Sequence, residues 1–101
     1  MTDNVRLTHA TLKVLSSIMG ARGAEMSGSQ VAGATRLASG SLYPILLRLE
    51  RAGWLKSRWE KIDPSEEGRP RRRLYKMTAA GAAQTQSALK ELMPESVAWA
   101  R

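Results

Sequence analysis

The sequence predicts a mainly α protein with a two-stranded β-hairpin wing, in the α-α-α-β-β-α order of a winged helix-turn-helix. Three observations support this fold class. A tight turn containing glycine, at 38–40, separates two short helical patterns, as in helix-turn-helix motifs. Two strand-like stretches flank a charged, turn-rich segment at 63–70, which is typical of a hairpin. A last helical pattern follows Thr78.

The first two helices have recognisable starts. Thr8 is a suitable N-cap for a helix predicted over Thr8–Met19, and Gly20 follows its last apolar residue. Ser27 and Gln30 have the spacing of a capping box, which starts the second helix. The apolar sides of the two helices contain Leu12, Leu15, Ile18 and Met19 in the first, and Val31, Ala34, Leu37 and Ala38 in the second.

The third helix has a continuous apolar stripe at the spacing i, i+3, i+4 and i+7, formed by Leu42, Ile45, Leu46 and Leu49. Ser39 or Ser41 is expected to cap its start, so that Pro44 falls in the first turn, where no amide donor is required. Gly53 is expected to end it. The opposite face is polar and basic, and it carries Ser41, Tyr43, Pro44, Arg48 and Arg51. One face therefore suits a small core, and the other suits contact with a nucleic acid.

A hairpin and a closing helix complete the predicted fold. Strands are expected at 54–62 and 71–77, with Leu55 and Trp59 on one face of the first strand and Trp54 and Ile62 on the other. A helix over 79–93 begins after Thr78 and ends before Pro94. Its apolar side is expected to contain Ala82, Gln86, Leu89 and Met93.

The charge distribution indicates a polyanion-binding surface. The chain has 101 residues, which indicates one domain, and its formal net charge is +7. The stretch from 36 to 73 holds ten basic and five acidic residues. A local basic excess of this kind is the electrostatic footprint of a nucleic-acid binder. A basic surface that serves only solubility is the alternative.

Other function classes find no support in the sequence. There is no Cys and His9 is the single histidine, so we expect no zinc site and no other cofactor. No Ser/His/Asp arrangement or phosphate-cradling glycine loop stands out, so no catalytic residue is assigned and an enzyme is not expected. The N-terminus lacks a signal-peptide pattern, and no apolar run is long enough to span a bilayer. We therefore expect a soluble cytoplasmic protein without a membrane partner.

Four stretches together resemble the PadR family of bacterial transcriptional regulators. They are Ser39–Leu55, which contains L-Y-P-x-L-x-R-L-E-x-x-G-W, then Ser57–Glu60, Gly68–Tyr75, which contains R-P-R-R-R-L-Y, and Met77–Gly81, which contains T-x-x-G. The resemblance extends over about residues 8–90. The combination is specific, although each piece alone is weak.

The resemblance implies a homodimeric winged-helix repressor that binds palindromic operators in double-stranded DNA. Residues 1–7 are polar and are expected to be flexible. The DNA-binding domain is expected at 8–77 and the C-terminal dimerisation element at 78–101, which resembles the single dimerisation helix of the smaller members of the family. Many members release DNA when a small hydrophobic or phenolic compound binds near the dimer interface. The resemblance places the dimer contacts on the first and last helices, at Leu12, Leu15, Leu89, Leu92, Met93, Val97 and Trp99.

The candidate DNA contacts lie on the second and third helices and on the hairpin. The recognition helix of such a motif enters the major groove, and the helix before it crosses the backbone. On these two helices the candidates are Gln30, Arg36, Ser39, Ser41, Tyr43, Pro44 and Arg48. The hydroxyl of Tyr43 would donate to a phosphate, unless the ring packs under the wing. Arg48 would reach the backbone or pair with Glu50.

The hairpin loop holds the densest basic cluster. Its arginines can enter a narrow minor groove, where the potential is most negative, and we expect two or three of them to contact DNA. The members are Arg69, Arg71, Arg72 and Arg73. The alternative is a solvated loop neutralised by Glu66 and Glu67. The alternative function for the whole chain is a winged-helix module that binds another protein and has no operator of its own.

Overall fold

The computed structural model describes residues 5–92, and the predicted winged helix-turn-helix is confirmed. The elements in chain order are α1 (His9–Gly20), β1 (Met26–Ser27), α2 (Gly28–Thr35), α3 (Ser39–Arg51), β2 (Leu55–Trp59), α4 (Pro64–Glu67), β3 (Arg73–Met77) and α5 (Ala79–Leu92). The wing is the hairpin of β2, β3 and the loop between them. Within the described part of the chain, no helix is both long enough and apolar enough to cross a membrane.

The core forms around the apolar stripe of α3. All four stripe residues are buried, as are the inner faces of α1 and α2 and the base of the wing. The core residues are Val14, Leu15, Ile18, Val31, Leu42, Ile45, Leu46, Leu49, Leu55 and Tyr75. Burial of a single leucine side chain contributes about 1.5–3 kcal/mol. The recognition helix is therefore held by its back, and its front is left free.

The starts of α1 and α2 follow the sequence pattern. Thr8 caps α1, and its hydroxyl oxygen accepts the amide of Thr11 at 3.1 Å. The capping box is formed in both directions, since Ser27 Oγ accepts from the amide of Gln30 and Gln30 Oε1 accepts from the amide of Ser27. The end of α2 differs from the prediction. Arg36 adopts a left-handed conformation with φ 63°, so the helix stops at Thr35 and does not include Leu37 and Ala38.

The start of α3 corrects two predictions. The N-cap is Ala38, which makes no side-chain cap, so neither Ser39 nor Ser41 has this role. Because the helix begins at Ser39, Pro44 lies in its interior instead of its first turn. A proline there has no amide to donate to the carbonyl of Gly40. That carbonyl is at the exposed start of the helix, where water can solvate it.

The sheet has a third strand that was not predicted. β1 pairs antiparallel with β3, so that Met26 lies opposite Tyr75, and the strand order is β1-β3-β2. An ion pair also ties the segment before β1 to the wing, since Arg58 Nε and Nη2 each donate to Glu25 at 2.7 Å. This charge-assisted bond lowers the pKa of the Glu25 carboxyl. The wing is therefore attached to the segment before α2 by a short strand pairing and by one ion pair.

The wing loop is ordered by one carboxylate. Glu60 accepts from both terminal nitrogens of Arg69, at 2.7 and 3.1 Å, and from the amide of Arg72 at 2.9 Å. These bonds, that of Arg69 foremost, lower the pKa of Glu60 from 4.5 to about 2. The predicted turn also contains the short helix α4, capped by Asp63 and ended by Gly68 in a left-handed conformation. The strands are shorter than predicted because this loop takes up the residues between them.

The end of α3 and the start of α5 meet at Trp54. Gly53 has φ +81°, and the amides of Gly53 and Trp54 close the helix by donating to Glu50 and Leu49, which is a Schellman motif. The carbonyl of Trp54 accepts the amide of Thr78 at 3.0 Å.

The hydroxyl of Thr78 links the same junction to α5. It donates to the carbonyl of Gly53 at 2.6 Å and caps α5 by accepting the amide of Gly81 at 2.9 Å. The buried side of α5 is formed by Gly81, Thr85 and Ala88, whereas Gln86, which was predicted there, is exposed.

We predict that Gly81→Ala is strongly destabilising. A methyl group at position 81 would overlap the backbone carbonyl of Trp54, which cannot move without breaking the junction with Thr78. Overpacking of this kind costs about 1–3 kcal/mol. The matched control is Gly33→Ala, since Gly33 is exposed in α2 and has open space around its Cα. That change should stabilise by roughly 0.5–1 kcal/mol. Equal urea midpoints for the two variants would contradict the close packing at Trp54.

We predict that the wing loop loosens in acid. The pKa of Glu60 is depressed in the folded protein from 4.5 to about 2, so its contribution to stability is complete above pH 4.5 and is lost as the pH falls towards 2. A carboxyl NMR titration should give Glu60 a midpoint near 2, and amide protection in the loop should fall over the same range. In Glu60→Gln the loop should be less protected at neutral pH and should lose this acid dependence. A normal midpoint for Glu60 would rule out the bidentate pair with Arg69.

Candidate nucleic-acid interface

The front of α3 is exposed along its whole length. Ser39, Ser41, Pro44 and Arg48 are all solvent-accessible, as predicted for a surface that faces a ligand. Leu47, which is not part of the apolar stripe, is also 48% exposed. Among the exposed side chains it gives the front an apolar point between polar neighbours, which is the chemistry that contacts a thymine methyl group.

Tyr43 lies on the wing side of α3 and rests on the start of α2. Its ring packs so closely on Gly28 that a Cβ at position 28 would lie 2.5 Å from Tyr43 Oη and 2.9 Å from Cε1. The side chain is still 45% exposed, so the ring is supported from below but not covered by the wing. Its hydroxyl makes no hydrogen bond with any described residue.

A cleft of about 480 Å³ opens between the start of α2, Tyr43 and the wing. Hydroxyl, aromatic and guanidinium groups line this cleft, and no carboxylate is among them. The lining residues are Ser27, Gly28, Ser29, Tyr43, Trp59, Arg71, Arg72, Arg73 and Tyr75. Tyr75 is only 7% exposed, and this burial raises the pKa of its hydroxyl. The cleft is therefore rich in donors and positive charge, which suits an anion.

Two of the four wing arginines are held by acidic residues. Arg69 pairs with Glu60, so the acid that engages the loop is not Glu66 or Glu67, as the alternative reading supposed. Arg73 Nε donates to Ser57 Oγ at 3.0 Å, and its Nη2 lies 3.7 Å from Glu50. Its guanidinium also lies 5.1 Å from the centre of the Trp59 ring, at cation–π distance.

The other two arginines keep free donors. Arg71 uses its Nε for the carbonyl of Ile62 at 3.1 Å, which leaves its terminal nitrogens available. The guanidinium of Arg72 has no hydrogen bond or ion pair with any residue in 5–92, and the side chain is exposed. Of the four wing arginines, Arg71 and Arg72 therefore keep the most guanidinium donors free within the described residues. That two or three wing arginines contact DNA stays a prediction.

The remaining predicted DNA contacts lie apart from the cleft. Gln30 is exposed, but its Oε1 is used in the capping box, so only its amide nitrogen is left to donate. Arg36 ends α2 and is exposed. Arg48 does not pair with Glu50, which instead accepts from Ser57 Oγ at 2.6 Å. Arg48 instead lines a small crevice beside Val5, on a different side of α3 from the cleft.

The predicted dimer residues fall into three groups. Leu12 and Leu89 are half-buried and keep accessible surface. Leu15 is fully buried in the core, so it offers no surface to a partner and its assignment to the interface is wrong. Of the others, the Leu92 side chain, Met93, Val97 and Trp99 lie outside the described residues.

Sequence reasoning missed Gly28, Ser29, Tyr75 and Leu47. Only the capping box marked the start of α2, and nothing in the pattern placed that start beside Tyr43 or the wing. Tyr75 was inside the resemblance motif but carried no expected role. As for metals, residues 5–92 contain no cluster of three His, Asp or Glu side chains placed to hold an ion.

Comparisons with known proteins agree with this geometry. A PadR family transcription regulator from hypervirulent Clostridium difficile superposes with a TM-score of 0.68 at 21% identity, over 83% of this chain and 86% of that one. BpsR of Bordetella bronchiseptica gives 0.69 at 20% identity, over 84% and 55%. Wild-type MarR from E. coli gives 0.66 at 28% identity, over 80% and 54%. The chain thus spans about half the length of BpsR and MarR.

Sequence comparisons give the family directly. Among curated proteins, no sequence matches this chain. The profile described as the transcriptional regulator PadR-like family matches residues 23–87, from the segment before β1 into α5. Because this match covers well over half of the chain, the protein belongs to the PadR-like family of transcriptional regulators.

Proposed function

We propose that this chain is a sequence-specific repressor that binds a palindromic operator as a homodimer in the cytoplasm. The observation that carries the proposal is the cleft, because it places Tyr43 of the recognition helix and the arginines of the wing on one continuous surface. A duplex that receives α3 in its major groove then meets the wing with the adjacent backbone or minor groove. Family membership supports the regulatory role.

The proposed base contacts lie on α3, and the proposed backbone contacts lie on the wing. Ser39, Ser41 and Pro44 lie near the start of the helix, where recognition helices meet base edges. Leu47 adds apolar surface for a thymine methyl group. Arg71 and Arg72 carry free cationic groups, which bind phosphates without reading sequence. Specificity would therefore come from the helix, and most of the salt dependence from the wing.

Dimerisation and effector release complete the proposal. The accessible surfaces of Leu12 on α1 and Leu89 on α5 support a dimer contact between these helices. The structure of BpsR concerns regulation of its DNA binding by 6-hydroxynicotinic acid. By analogy of fold, we propose that a small aromatic compound weakens DNA binding by this chain. Quenching of the tryptophan fluorescence on titration with such compounds would support this part, and unchanged DNA affinity in their presence would refute it.

Selection of bound sequences from a random DNA pool, followed by sizing of the complex, tests the function directly. We expect a palindromic consensus and two protein chains per duplex. If each chain neutralises about four phosphates, the slope of log affinity against log salt should be on the order of −7. A slope near zero, with no enriched sequence, would refute the repressor. It would favour a module that binds another protein.

We predict that Arg71→Ala with Arg72→Ala weakens binding to all duplexes alike. The loss removes phosphate contacts, so the salt slope should become shallower by about two for each chain and the consensus should stay the same. The matched control is Arg22→Ala with Lys90→Ala, which removes two exposed positive charges outside α3 and the wing. Ser41→Ala should instead change the consensus. Equal affinity losses for the two double variants would show that only net charge matters.

A further inference from the structure

We propose that the cleft is a socket for one DNA backbone phosphodiester, built from α2, α3 and the wing together. This inference rests on the proposed DNA-binding function. It assigns a role to Ser27, Gly28 and Ser29, which lie outside the resemblance motifs, and to Tyr75, for which no role was expected. Hydrogen-bond donors reach the cleft from three elements, and none of its lining residues is acidic. Such a donor set recognises an anion, and the anion that DNA presents along its whole length is the phosphodiester.

The first wall of the socket is the start of α2. The capping box occupies the amides of Ser27 and Gln30, whereas the amide of Ser29 has no partner among the described residues. The hydroxyls of Ser27 and Ser29 share one hydrogen bond, at 3.1 Å. Since that bond uses the proton of one hydroxyl, the proton of the other hydroxyl can be donated to a ligand. This wall thus supplies one amide and one hydroxyl donor, favoured for an anion by their place at a helix start.

The second wall is Tyr43. The close contact with Gly28 sets the position of the ring, because a Cβ at position 28 would lie only 2.5 Å from Oη and 2.9 Å from Cε1. The phenol is thus supported beside Ser29 with its hydroxyl free. Tyr75 forms the floor, and its hydroxyl has no hydrogen-bond partner among residues 5–92 either. The raised pKa of this buried phenol keeps it protonated, and hence a donor.

The third wall is the wing. Arg72 has a guanidinium free of partners within the described chain, while Arg73 is fixed by Glu50 and Trp59. One unpaired and one paired cation therefore line the cleft together with the two tyrosines. A DNA strand that passes from the groove holding α3 to the groove facing the wing has to cross between these walls. This path favours a backbone phosphodiester over a separate small anion as the occupant.

The test combines protein variants with single neutral linkages in DNA. The probe is the duplex enriched from the random pool, remade as a set in which one phosphodiester at a time is a methylphosphonate. Tyr43→Phe and Ser29→Ala each remove one donor to a charged group, so each should weaken binding to the unmodified duplex about ten-fold. At one linkage per half-site, the neutral substitution should weaken wild-type binding, and neither variant should weaken it further. At every other linkage the losses should multiply.

Gly28→Ala tests the support of the ring. The new methyl group displaces the flexible end of Tyr43, so the variant should fold, lose affinity like Tyr43→Phe, and have no effect in a Tyr43→Ala background. The control for Gly28→Ala is Gly33→Ala, on the same helix with open space around it. The control for Ser29→Ala is Ser16→Ala, which removes an exposed hydroxyl from α1. Thermal unfolding of each variant confirms that it is folded.

The outcomes separate the socket from the function. The socket is supported if Tyr43→Phe and Ser29→Ala are both non-additive with the neutral substitution at the same linkage. If wild-type protein binds the duplex but no linkage couples to either variant, or if the two couple to different linkages, the socket is refuted and the DNA-binding function stands. If wild-type protein binds no duplex, both fail.

Discussion

The carbonyl of Trp54 holds together α3, the wing and α5. It follows the last turn of α3, it accepts the amide of Thr78 at the end of the wing, and Gly81 at the start of α5 packs directly against it. A shift of any of these elements would break that hydrogen bond or force a steric overlap. The angle between recognition helix, wing and closing helix is thus set by backbone atoms, which are far stiffer than surface side chains.

Two further contacts hold α3 from its wing side. Near its end, Glu50 accepts from Ser57 and lies close to Arg73, so the helix and the wing share one polar network. Near its start, Tyr43 rests on Gly28 of α2. The polar front of the helix is therefore aimed by contacts at both ends and by the leucine stripe behind it. Preorganisation of this kind reduces the ordering cost when DNA binds.

The helices and the wing could be predicted because their signals are local. The leucine stripe, the Thr8 cap and the Ser27–Gln30 box are all set within one or two helical turns. Contacts between distant residues had no such signal. β1 has only two residues, which is too short for an alternating pattern. No local pattern indicated that Arg69 would pair with Glu60 instead of Glu66. The cap at Ala38 was missed because two nearby serines were better caps by propensity. The socket joins three elements, so no single stretch of sequence could predict it.

The wing has four arginines, but only some of their guanidinium groups are available to bind a phosphate. Arg69 is bound in two places by Glu60, and Arg73 is held by Glu50, Ser57 and Trp59. For these two residues a phosphate would have to compete with a formed carboxylate pair, whereas Arg71 and Arg72 need give up no ion pair within the described chain. Glu60 of the wing and Glu50 of α3 thus do not simply cancel the charge of the wing arginines. They convert two arginines into a rigid frame, and that frame presents the other two beside Tyr43, where a single backbone strand can meet them together.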